Sequence, residues 1–241
     1  MKTIAEHLGQ VQANIADACG RSGRSVNDVT LIAVSKTHPA ETILEAIEAG
    51  VQHFGENRVE ESQAKLPDVM SRTSVRVTWH MIGHVQSRKA KDVAALFDIV
   101  HSVDSAKLAR RLAAALPEGR MLRVLLQMNV SGEASKEGFD AARWQADPAV
   151  CQWLAQETRE ILAQPGLDVC GLMTIAPIVD DPEIARPVFA SLRGLREVLA
   201  ETLNHPLPHL SMGMTDDYGV AIEEGATLVR VGRAIFGERL R

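Results

Sequence analysis

A chain of 241 residues with 46% hydrophobic and 24% charged residues has ordinary globular composition, and it can bury a large core without disulfides or structural metal. The net charge of −5, with Lys and Arg dispersed, offers no footprint for nucleic acid, and no apolar run approaches the roughly 18 residues of a membrane span. Three cysteines (Cys19, Cys151, Cys170) form no CxxC pair, which argues against a disulfide framework or zinc site and for a reducing, cytoplasmic setting.

The first segment, about residues 1–20, has Glu6 and His7 where a leader peptide needs an apolar run, and reads as an amphipathic helix. Strand-like runs then follow at 29–35, 52–55, 77–82, 98–102, 122–130, 168–175, 208–212 and 228–231. Nearly all are followed by a helix-period segment. Residues 40–49 place Ile43, Leu44 and Ile47 on one face and stop at Gly50, and 105–115 and 183–203 repeat the pattern. Runs 29–35 and 122–130 are mostly apolar rather than alternating, as in parallel strands covered by helices. Eight such alternations predict an α/β fold: a single (β/α)8 TIM-type barrel, one domain over 1–241, with an extra N-terminal helix. An open doubly wound sheet is the alternative. GxGxxG and GxxxxGK[ST] are absent, which weakens dinucleotide and P-loop readings.

In such a barrel chemistry gathers where strands end. The predicted tips hold Lys36, Glu56 and Asn57, His80 and His84, Ser102 and Asp104, Asn129, Met173 and Thr174, Ser211 to Thr215, and Arg230 to Arg233. Lys36 closes the run LIAVSK. A lysine there either snorkels to solvent or sits partly desolvated in the barrel mouth, where a lowered pKa frees its amine to attack an aldehyde. Ser211-Met212-Gly213-Met214-Thr215 after the seventh strand and Val231-Gly232-Arg233-Ala234 after the eighth supply small residues and backbone N–H groups, at the usual phosphate site of this barrel. Arg230, between Val229 and Val231, needs a strong acceptor if it points inward. A pyridine nitrogen is one candidate, and that pairing would make the ring a weak electron sink. His80 and His84 are spaced i, i+4 across a strand end, HExxH is missing and no carboxylate is placed to complete a set, so a metal is not expected.

The segments LIAVSKTHP (31–39), HFGENRVEE (53–61), WHMIGHVQSRKAK (79–91), SVDS (102–105), NVSGEASKEGF (129–139), GLMTIAP (171–177) and LSMGMTDDYGVAIEEGATLVRVGRAIFGER (210–239) resemble the pyridoxal phosphate homeostasis protein family over nearly the whole chain. That family is similar to the barrel domain of fold-type III alanine racemases. The resemblance implies that Lys36 carries pyridoxal 5′-phosphate as a Schiff base. It implies that Ser211, Gly232 and Arg233 hold the phosphate with Met212 and Gly213 backbone, that Arg230 faces the pyridine nitrogen, and that Asn57 and His80 lie near the ring. His38 stands where many bacterial members have a second lysine, and Lys136 matches a family lysine that is a candidate secondary cofactor site.

Two functions compete. A carrier would hold the cofactor for vitamin B6 homeostasis and pass it to apo-enzymes, without a reaction of its own. An amino-acid racemase would need a second acid/base group, normally a tyrosine from an added β-domain. The chain stops after the eighth unit and has only Tyr218, in the helix after the seventh strand, so the carrier is expected, as a monomer. A phosphosugar barrel without cofactor would share the phosphate loops but leave Lys36 unexplained, except as an aldolase-type Schiff base.

Overall fold

The computed structural model describes residues 3–133 and 135–237. Eight parallel strands form its centre: β1 (Thr30–Val34), β2 (His53–Glu56), β3 (Thr78–Met81), β4 (Ile99–Val103), β5 (Leu122–Asn129), β6 (Leu167–Met173), β7 (His209–Ser211) and β8 (Leu228–Val231). Each pairs with the next, and β8 pairs with β1 through Thr30↔Leu228 to Ala33↔Val231. The sheet is therefore closed. The open-sheet alternative is set aside, and the expected barrel is the fold. A two-residue bridge, Phe139–Asp140, adds to the tip of β5 and was not expected from the sequence.

Outside the strands lie α2 (Ala40–Glu48), α3 (Val59–Arg72), α4 (Ala90–Leu96), α5 (Ala106–Ala113), α6 (Pro148–Leu162), α7 (Arg186–Leu203), α8 (Tyr218–Glu223) and the four-residue α9 (Arg233–Phe236). The N-terminal helix α1 runs Ile4–Ser22, starting from a Thr3–Glu6 capping box and stopping at left-handed Gly23. It buries Ile4, Leu8, Val11 and Ile15, and is pinned to the last turns of the barrel: His7 Nδ1 lies 3.0 Å from Ile235 O, and Arg24 donates to Ile222 O and Ala226 O.

Side chains alternate across each strand, and here both faces are covered. Ala33, Phe54, Trp79, Met81, Val100, Val124 and Val229 pack outward with the helices. Ile32, Ile99, Leu125, Cys170, Met173 and Leu228 form a smaller inner cluster. The inner positions also carry polar groups, and that mixed lining positions the site.

Candidate functional site

Lys36 lies two residues past the end of β1, half-buried, in the turn that follows the inward-facing Ile32 and the buried Val34. Its neighbours are clamped. Ser35 Oγ donates to Glu56 Oε1 at 2.6 Å, and the Thr37 N–H donates to Glu61 Oε1 at 2.6 Å. Lys65 of α3 joins both carboxylates, at 2.9 Å from Glu56 and 2.7 Å from Glu61, and donates to Ser35 O at 3.0 Å. Thr37 adopts a left-handed φ of 67°, which an L-residue holds only when its surroundings enforce it. Burial pushes the Glu56 carboxyl up, and Lys65 and Ser35 oppose that shift. The sequence reading missed Lys65, although its spacing of four from Glu61 was a usable signal.

Arg230 sits level with Ile32 on the inner face of β8. Its guanidinium donates to Ser211 Oγ and, at 2.8 Å, to Thr174 O, so it leans to the rim where β6 ends. Burial lowers its pKa to about 10, which still leaves a cation at neutral pH. Lys36 lies four residues beyond that level in sequence, the last two of them past the end of β1.

Ser211 and His80 sit deeper than expected. The Ser211 hydroxyl faces His101 Nδ1 at 2.8 Å as well as Arg230. His80 is fully buried in the barrel, 3.0 Å from His53 and 2.8 Å from His101. Burial above all, with nearby cationic groups, holds His80 and His101 well below the usual histidine range. His53 and His101 were missed by the sequence reading. Strand parity relative to His80 was the only signal, and it shows in β2 as His53, Gly55 and Asn57.

The phosphate-side residues divide. The Met212 N–H donates to Leu228 O at 3.2 Å and its side chain is buried in the outer core, so sheet pairing already uses that N–H. Gly213, at φ +91°, is required by packing, since a Cβ would come 2.6 Å from Ala221 Cβ. Arg233 directs its guanidinium to both oxygens of Asp216, at 2.6 and 2.8 Å, joining the loops after β7 and β8. Gly232 begins α9 with φ −112°, and an added Cβ would meet Val34 at an ordinary 3.4 Å. Among the described residues, no contact requires glycine there.

A cavity of about 230 Å³ opens at the rim, lined among others by Asn57, Gly83, His84, Gln127, Asn129 and Lys136. Asn57 Oδ1 is buried and has no hydrogen-bond partner among the described residues. Gly83 is held against the Asn57 backbone, where a Cβ would fall 2.2 Å from Asn57 O. Lys136 borders the cavity with its ammonium 2.9 Å from Ile175 O and 3.3 Å from Glu133. His38 packs its ring 4.8 Å from that of Phe236.

His84 corrects a second expectation. It is separated from His80, yet Asp104 and Glu137 do complete a set around it, their ligand atoms all within 4.8 Å. Tyr218 lies outside the barrel, its hydroxyl accepting from Asn14 Nδ2 of α1 at 3.0 Å. Among the described residues no helix is long and apolar enough to cross a membrane.

A family model described as alanine racemase, N-terminal domain, matches residues 7–240. The chain is 42% identical over 240 residues to a protein of Pseudomonas aeruginosa, covering 99% of this chain and 97% of the other. It is 41% identical over 244 residues to one of Escherichia coli K12, covering 99% and 98%. Both relatives are named pyridoxal phosphate homeostasis protein. The structure of PipY from Synechococcus elongatus with PLP bound superimposes with a TM-score of 0.80 at 37% identity, covering 98% of this chain and 100% of that one. An alanine racemase of Corynebacterium glutamicum shares the fold at 17% identity, with a TM-score of 0.64, and this chain matches 60% of it.

Proposed function

The chain belongs to the pyridoxal phosphate homeostasis protein family, and from that premise we propose that it holds pyridoxal 5′-phosphate on Lys36 and serves vitamin B6 homeostasis in the cytoplasm, with the whole chain 1–241 as one cofactor-holding domain. The observation that carries the reading is the setting of Lys36: a half-buried lysine just past the end of β1, between neighbours clamped by Glu56, Glu61 and Lys65.

The residues fit such a group. Gly232 begins the short turn α9, where a side chain would meet only ordinary contact with Val34, so the backbone there can be approached closely. Asn57 offers an unsatisfied oxygen at the rim, and Arg230 brings a buried cation beneath it. When bound, the cofactor supplies an aldehyde for reversible capture by an amine. Lys36 would be the residue that supplies the amine for that capture. Arg230, a buried cation that can only donate, would hold the ring nitrogen of such a group unprotonated and so weaken the ring as an acceptor of electrons. Ser211 and the Gly232 backbone serve the phosphate side.

In this reading the protein is a carrier for delivery to apo-forms of pyridoxal phosphate enzymes, with no reaction of its own. The position of Tyr218 supports this, because a racemase needs an acid/base group on the second face of the ring and this hydroxyl is turned to Asn14. The test is spectroscopic. Protein incubated with the cofactor should gain a visible band that borohydride makes permanent as added mass on the Lys36 peptide, and Lys36→Ala should show neither. Retention of the band by Lys36→Ala would refute the assignment. Rapid α-proton exchange of an amino acid in deuterated water would refute the carrier reading while leaving the lysine in place.

A further inference from the structure

One unbroken hydrogen-bonded line crosses the barrel interior. His53 Nδ1 on β2 meets His80 Nε2 on β3 at 3.0 Å. His80 Nδ1 meets His101 Nε2 on β4 at 2.8 Å, and His101 Nδ1 meets Ser211 Oγ on β7 at 2.8 Å. Arg230 donates to the same hydroxyl oxygen. His80, His101 and Ser211 are fully buried, while His53 is half-buried at the start of its strand.

Each nitrogen-to-nitrogen contact holds one proton, and a neutral imidazole carries a single N–H. A ring that donates on one side must therefore accept on the other, so the three rings cannot choose independently. With neutral rings only two arrangements satisfy every link. In the first, Ser211 donates to His101 and all three histidines carry the proton on Nε2. In the second, all three carry it on Nδ1 and His101 donates to Ser211. The oxygen of Ser211 then accepts twice, from His101 and Arg230, and its own proton points away from the line.

We propose that His53, His80 and His101 are positioning residues for Ser211, acting as one tautomeric unit that sets whether the hydroxyl spends its proton on the line or presents it to an anionic oxygen bound beside it. The proton balance is closed. When the line passes from the second arrangement to the first by hopping, one proton enters at His53 Nε2 as Ser211 gives its own to the bound oxygen. Without a bound acceptor the first arrangement uses every proton and is favoured. A second proton on His53 forces the other, because the doubly protonated ring can only donate to His80.

Other charged groups face this line. His53 is near Arg123 of β5 and Asp98, His80 near Arg123 and His209, and His101 near His209 and Arg230. Asp168 faces His209, and Asp217 faces Arg230.

The experiment is nitrogen-15 NMR of the histidine rings in protein free of cofactor, so that its outcome is independent of the Lys36 assignment. At neutral pH all three rings should carry the proton on Nε2. As acid adds a second proton to His53, His80 and His101 should move theirs to Nδ1 while staying neutral. His53→Ala, a change at the half-buried end, should leave His101 on Nε2 across the same pH range, and His209→Asn should leave the switch intact. Mixed tautomers at neutral pH, or rings that stay fixed while His53 titrates, would overturn the proposal.

Discussion

Lys65 reaches from α3 to within 2.9 Å of Glu56 at the tip of β2, and both side chains are almost closed to water. Removing one partner of a buried pair leaves an uncompensated charge, a loss of about 3 to 5 kcal/mol. Lys65→Met should lower stability on that scale in urea unfolding. It should also loosen Thr37, whose N–H shares Glu61 with the lysine. Lys65→Met with Glu56→Gln should recover much of the loss, since the charge is gone. A double variant no more stable than the single one would show that the pair is not the source.

Acid should destabilise the fold through the barrel histidines. Burial lowers the pKa values of His80 and His101 well below 6.5, so the unfolded chain binds more protons than the native one below that value. Their contribution is intact above pH 6.5 and is lost as pH falls, at up to about 1.4 kcal/mol per pH unit for each ring. Unfolding free energies measured from pH 7.5 down to pH 5.5 should fall, and His101→Gln should flatten the slope.

Two glycines should respond in opposite ways to alanine. Gly83→Ala places a methyl 2.2 Å from Asn57 O, so the rim must shift and stability should drop. Gly232→Ala meets only ordinary contacts and should change stability by less than about 1 kcal/mol. If the phosphate lies against the Gly232 backbone, cofactor affinity should fall about tenfold or more, equivalent to ~1.4 kcal/mol. Equal cofactor titrations for the variant and the parent chain would rule that role out.

Tyr218→Phe removes the acceptor of Asn14 and should cost about 1 kcal/mol in thermal or urea unfolding. The visible band of the cofactor-loaded protein should not change. A shifted band would place the tyrosine in communication with the cofactor.

The barrel was legible because its strands are short apolar runs separated by helix-period segments, and Lys36, Asn57, Arg230 and Gly232 are proposed for the site as polar or small residues at the ends of those runs. The interior was not. Whether His53 and His101 point inward depends on parity within strands of four and five residues, where a shift of one position reverses every side chain. The partner of the Met212 N–H was hidden for a related reason: only the register of β7 against β8 shows that it is Leu228 O. Arg233 and His84 depend on loops far apart in sequence, and no local pattern announces Asp216 beside one or Asp104 and Glu137 beside the other.

Closure of β1 on β8 has a consequence during synthesis. Thr30 waits for Leu228, and α1 waits for Tyr218 and Ile235, before either meets its native neighbour. Until the ribosome has made nearly the whole chain, β1 offers an open edge and α1 an uncovered apolar face, the surfaces on which partly made chains associate wrongly. Stalling before Leu228 is made should therefore leave α1 and β1 protease-sensitive, and completing β8 should protect the first helix and that strand together.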